Sequence, residues 1–131
     1  MKYLVDTDYI ADYLVAKPYA TEHLSSLSQD GIAISLLTVG EIYEGIYYGY
    51  NPQEGTKRFQ HFLQTVPILQ LTQPIMRQFA RIRGELRRTG NIIGDFDMLI
   101  AATAIHHHLT LVTRNLRDYT RIPHLVMYTK S

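Results

Sequence analysis

Short, wholly apolar runs alternate along this chain with longer helix-patterned stretches, and that alternation limits the fold more than any other feature. Tyr3-Leu4-Val5, Ile32-Ala33-Ile34 and Leu111-Val112 are too short for helices. They are also too uniformly apolar for strands with one face in water. Val66 to Leu71 is a further strand, tolerating Pro67 only at a sheet edge or strand start. Leu125-Val126-Met127 is a possible fifth.

The segments between them read as helices. Thr7 or Asp8 caps the first, which turns Ile10, Tyr13 and Leu14 inward. Pro18 opens a second, running to about Ser28, and Asp30-Gly31 marks a turn. A third passes through Val39, Ile42 and Ile46 and closes near Gly49. Asn51-Pro52 opens a fourth, with Phe59, Phe62 and Leu63 as its stripe. From Pro74 to about Thr89, Ile75, Phe79, Ile82 and Leu86 share one face, and Arg77, Arg81 and Arg88 the opposite one, flanked by Arg83 and Arg87. Gly90 is placed to end that helix. Met98 to Ile105 is apolar nearly all round, the mark of a buried helix. The order predicts βαβ units and an α/β fold: a three-layer α/β/α sandwich with a central parallel sheet of four to five strands, in one domain over residues 1–131.

Composition narrows the chemistry. Cysteine is absent, which excludes disulfides and thiolate metal sites. MKYLVDTDYI does not read as a signal peptide, and no apolar run reaches the roughly 18 residues of a membrane helix, so the cytoplasm is the expected location. A net charge of +1 argues against a general nucleic-acid coat, because such binders neutralise many phosphates.

In an open parallel sheet, ligands bind beyond the carboxyl ends of the strands. Asp6 ends the first strand, Glu41 lies about two turns into the helix after the second, and Asp95 and Asp97 open the buried helix. Asn115 follows Thr113 past the fourth strand. Convergence of these oxygens makes a pocket in which crowded carboxylates repel one another, and a divalent cation relieves that repulsion. Oxygen donors without Cys suit Mg²⁺ or Mn²⁺ better than Zn²⁺. Each residue also has a plain structural reading. Asp95 suits an N-cap, Asp97 a dipole-favoured first turn, Asp6 a cap, and Glu41 an exposed helix position. Asp8 and Glu44 read as solvated or as neighbours of the site.

His106-His107-His108 is a decoy: consecutive helical side chains diverge by about 100°, whereas paired ligands need i, i+3 or i+4 spacing. Tyr43, Tyr47, Tyr48 and Tyr50 cluster on or just after one helix, where core or subunit contact is the usual role.

Leu4-Val5-Asp6-Thr7-Asp8, SLLTVGE from Ser35 to Glu41, IGDFDMLIAA from Ile93 to Ala102, and LVTRNLRDY from Leu111 to Tyr119 followed by Ile122-Pro123 together resemble the PIN-domain ribonucleases, above all the VapC toxins. The motifs occur in family order over nearly the whole chain. The resemblance implies a PIN-like fold, a Mg²⁺- or Mn²⁺-dependent endoribonuclease leaving 5′-phosphate and 3′-hydroxyl ends, a cognate antitoxin and a homodimer. The family's acids fall on Asp6, Glu41 and Asp97 as catalytic metal ligands. Thr7 and Thr113 match hydroxyl positions, and Asn115 stands where Asp is common, without its charge. Asp95 is an extra acid nearby. Arg114, beside Asn115, is the expected RNA phosphate contact. Two other readings remain open from the sequence: an inert binding module on the same fold, and a metal-dependent phosphatase or DNA nuclease on a related one.

Overall fold

A computed structural model gives the architecture and describes residues 1–129. Four strands, β1 (Tyr3–Val5), β2 (Ile32–Ser35), β3 (Ile68–Leu69) and β4 (Thr110–Val112), form a parallel sheet in the order β3-β2-β1-β4. The central strand β1 is buried throughout, and alternate residues feed two separate cores. Tyr3, Val5, Ile32, Ile34 and Val112 belong to one. Leu4, Ala33 and Leu111 belong to the other. Both faces of the sheet are therefore covered, which is why these runs show no polar alternation.

One face carries α1 (Thr7–Leu14), α2 (Pro18–Leu27), α3 (Leu36–Tyr47) and α4 (Pro52–Leu63). The other carries α5 (Gln73–Thr89), α6 (Asp95–His106) and α7 (Leu116–Tyr119). Because β4 adds beside β1 and not beside β3, the chain leaves the ends of these adjacent strands toward opposite faces. That opens a crevice at their carboxyl ends.

Three local expectations change. Asp6, not Thr7 or Asp8, caps α1; its extended backbone lets a carboxylate oxygen accept the Thr7 N–H. The stretch from Val66 to Leu71 pairs only at Ile68–Leu69, at the sheet edge just after Pro67. Leu125-Val126-Met127 makes a single parallel bridge, Leu111 to Met127, and no strand, because the chain touches the edge of β4 only briefly. The three histidines close α6: His107 is its C-cap and His108 lies in the left-handed region at φ 55°, all three exposed.

Ser35 has a sharper role than its sequence context shows. It is fully buried and caps α3, its Oγ accepting the Leu37 N–H at 3.1 Å. Ser35→Ala leaves that N–H without a partner and is expected to cost about 1 kcal/mol, read as a lower urea midpoint with unchanged slope.

Candidate active site

The crevice between the ends of β1 and β4 collects carboxylates from four segments. Asp6, just past β1, is buried, with Oδ1 accepting the Thr7 N–H at 2.8 Å and Oδ2 the Thr113 hydroxyl at 2.8 Å. Thr113 follows β4, so this bond joins the two strand ends directly. Asp8, in the first turn of α1, accepts the Tyr9 N–H at 2.7 Å and the Arg114 N–H at 2.9 Å. Glu41 reaches the site from α3, where its Oε1 accepts the Thr7 hydroxyl at 2.6 Å. Thr7 Oγ1 also lies 3.1 Å from Thr38 Oγ1, tying α1 to α3.

Asp97 enters from the first turn of α6. Its Oδ1 accepts the hydroxyl of the fully buried Tyr119 at 3.2 Å, and its Oδ2 faces the Asn115 amide nitrogen at 3.5 Å. That same nitrogen donates to Asp118 at 3.2 Å, while the Asn115 N–H is held by Thr113 Oγ1 at 3.0 Å.

The electrostatics follow from burial and crowding. Burial first, then the charges of Asp8 and Asp97, push the Asp6 carboxyl up to about 6, against the lowering effect of its bonds to Thr113 and Thr7. Asp97 is raised by burial and by the charges of Asp118 and Asp8, and Asp8 is raised chiefly by burial. The Tyr119 hydroxyl, buried against Asp97 and Asp6, is pushed far above its ordinary value and stays a donor. Among the described residues no three Asp, Glu or His side chains lie at ligand spacing as they stand. The donors are nonetheless all hard oxygens, and the repulsion among them is what a divalent cation relieves. On donor chemistry, Mg²⁺ or Mn²⁺ fits.

Asp6, Asp97, Thr113 and Asn115 thus meet at one crevice, and Glu41 borders it through Thr7, whose hydroxyl it accepts. Asp95 does not. It opens α6 after the Gly94 cap, is exposed, and pairs with Arg83 at 3.2 Å. Two positions apart on a helix means about 200° of rotation, so Asp95 and Asp97 cannot face one site together. Asp8, read from the sequence as solvated or peripheral, belongs to the cluster, as does Asp118, which sequence reasoning passed over. No spacing rule marks either one: Asp8 reads as an ordinary first-turn acid, and Asp118 lies in a four-residue helix. Arg114 sits on the rim, its side chain 57% exposed and one guanidinium N–H on Asp12 at 3.1 Å. Arg77, Arg81 and Arg88 are exposed on α5, Arg88 paired with Glu85 at 3.3 Å.

Comparison with known proteins shows the family. The PIN domain family matches residues 3–125. Ribonuclease VapC2 of Haemophilus influenzae is 32% identical over 124 residues, covering 93% of this chain and 92% of that protein. The tRNA(fMet)-specific endonuclease VapC of Shigella flexneri is 27% identical over 122 residues, covering 93% and 92%. Among solved structures, VapBC2 from Rickettsia felis bound to a DNA fragment from their promoter superposes with a TM-score of 0.91 at 27% identity, over 100% of both chains.

Proposed function

The chain belongs to the PIN domain family, and from that premise we propose that it is an RNA-cleaving toxin of a toxin–antitoxin pair, a Mg²⁺- or Mn²⁺-dependent endoribonuclease. The observation that carries this reading is the crevice itself: Asp6 and Asp97 gather at the ends of β1 and β4, with Glu41 beside them on Thr7 and Asp6 pushed up to about 6 by burial and like charge. The relatives named as ribonucleases support RNA as the substrate class.

Asp6, Glu41 and Asp97 would hold the cation, directly or through waters, with Asp8 and Asp118 adding negative charge around them. Such an ion supplies an activated water and neutralises charge on the phosphoryl group. The chain's own residues do the positioning. Thr113 and the Thr7 N–H fix both Asp6 oxygens, the Thr7 hydroxyl fixes Glu41, and Tyr119 fixes Asp97. Arg114 on the rim contacts an RNA phosphate.

The antitoxin and a second copy of the chain are the proposed protein partners. A groove of about 630 Å³ between α1, α3 and α4 runs from Thr7 and Glu41 over Leu14, Ile42 and Ile46, and an apolar antitoxin segment suits it. Tyr47, Tyr48 and Tyr50, all exposed, suit a homodimer contact. Among the described residues no helix is long and apolar enough to cross a membrane.

Purified protein incubated with RNA, with DNA of the same sequence and with a phosphomonoester tests the substrate class. RNA alone should be cut, with 5′-phosphate ends, and cutting should stop in EDTA and return with excess Mn²⁺. Cleavage indifferent to chelation, or confined to DNA or the monoester, overturns the proposal.

A further inference from the structure

On the α1–α2 side of the carboxylate crevice, one aspartate gathers two cations and a phenol. Asp12 Oδ1 takes the Lys17 ammonium at 3.1 Å, and Oδ2 takes the Arg114 guanidinium at 3.1 Å together with the Tyr19 hydroxyl. The guanidinium lies over the Tyr19 ring, 5.2 Å from its centroid. Both cations stay open to solvent, with 53% of the Lys17 and 57% of the Arg114 side chain exposed, while Asp12 is only 14% exposed. The group therefore shows water two positive charges over one covered negative charge.

Surface ion pairs of long side chains ordinarily contribute little and move freely. This one is braced. Tyr19 packs edge-on against Tyr9 at 5.4 Å, the Tyr9 hydroxyl is 2.9 Å from His23 Nδ1, and His23 meets the Tyr128 ring at 6.1 Å. From the other direction, the Arg114 N–H is held by Asp8 of the catalytic cluster. An arginine whose backbone is fixed to the site and whose head is fixed on a ring loses little freedom when an anion arrives, and its remaining N–H donors match phosphate geometry.

We propose that Lys17 and Arg114, set on opposite oxygens of Asp12, form a phosphate-binding subsite that holds the RNA backbone beside the carboxylate crevice. Asp12 and Tyr19 are its positioning residues. The inference rests on the RNA reading above and adds Lys17, Asp12 and Tyr19 to the substrate path.

The test reads binding apart from cleavage. In an Asp97→Asn background, the affinity for a short single-stranded RNA is followed by fluorescence anisotropy across a salt series. Lys17→Ala and Arg114→Ala should each lower the slope of log K against log salt by about 0.7, one phosphate contact on a single strand. Lys17→Arg should restore the slope. In the cleaving protein, Lys17→Ala should raise KM about fivefold with kcat within about twofold, the sign of lost uniform binding. An unchanged slope in either alanine variant overturns the paired subsite. A parent protein that neither binds nor cuts RNA overturns the RNA reading itself, whereas a parent that cuts normally while both variants bind like it defeats only the subsite.

Discussion

Asp6→Asn is expected to make the protein more stable at neutral pH while abolishing RNA cleavage. The buried carboxyl is raised to about 6 from 3.8, so the unfolded chain releases this proton more readily than the folded one. Below about pH 4 both states hold it and there is no penalty. As pH rises from there through 6 the unfolded state gains, and above 6 the full penalty is present, about 3 kcal/mol for a shift of this size. Asparagine keeps the acceptor for the Thr7 N–H and offers its amide to Thr113, so the local bonds survive the exchange. Urea midpoints measured in EDTA should therefore favour the variant by about 1–3 kcal/mol at pH 7 and converge near pH 4. A variant less stable than the parent at pH 7 refutes this account of the crevice.

Asp97→Asn should lower cleavage by more than about a hundredfold, since even the groups that merely orient metal ligands cost 10–100-fold when lost. Asparagine still accepts the Tyr119 hydroxyl through its carbonyl oxygen, and only the long 3.5 Å contact with the Asn115 amide nitrogen is lost, since that nitrogen keeps Asp118 as its acceptor. The fold should stand while one anionic donor disappears. A second readout separates the two causes of inactivity. Mn²⁺ at a hundred times its Kd should stabilise the parent by about 2.7 kcal/mol and the variant by much less. Equal stabilisation of the two proteins would show that Asp97 holds no ion.

Much of this was legible in advance because burial on both faces leaves a plain mark on β1, β2 and β4: short apolar runs with no polar alternation. Asp6 stood out by breaking such a run at its end, and Asp97 by preceding a helix that is buried nearly all round. Asn115 is marked by its place just past the fourth strand, Thr7 and Thr113 come from the family resemblance, and the crevice holds all three. Other features depended on distances that spacing does not encode. Asp8 looks like any first-turn acid until the Arg114 N–H, 106 positions away, is found on its oxygen. Asp118 lies in a four-residue helix too short to show periodicity. Helix rotation alone turns Asp95 about 200° from Asp97 and so away from the crevice, and Arg83 of α5 receives it. The possible fifth strand reduces to one bridge because Leu125 and Met127 pack against the core that holds Leu4, Ala33 and Leu111, while the chain pairs with β4 only at Met127.

The pairing of β1 with β4 has a consequence for how this enzyme comes into being. Asp6 is held by Thr113, 107 positions further along the chain, and Asp8 by the Arg114 N–H, 106 positions further along. A chain in which β4 has not yet joined β1 holds Asp6 and Asp8 without those clamps, so the site is completed by a long-range pairing and does not assemble piecemeal.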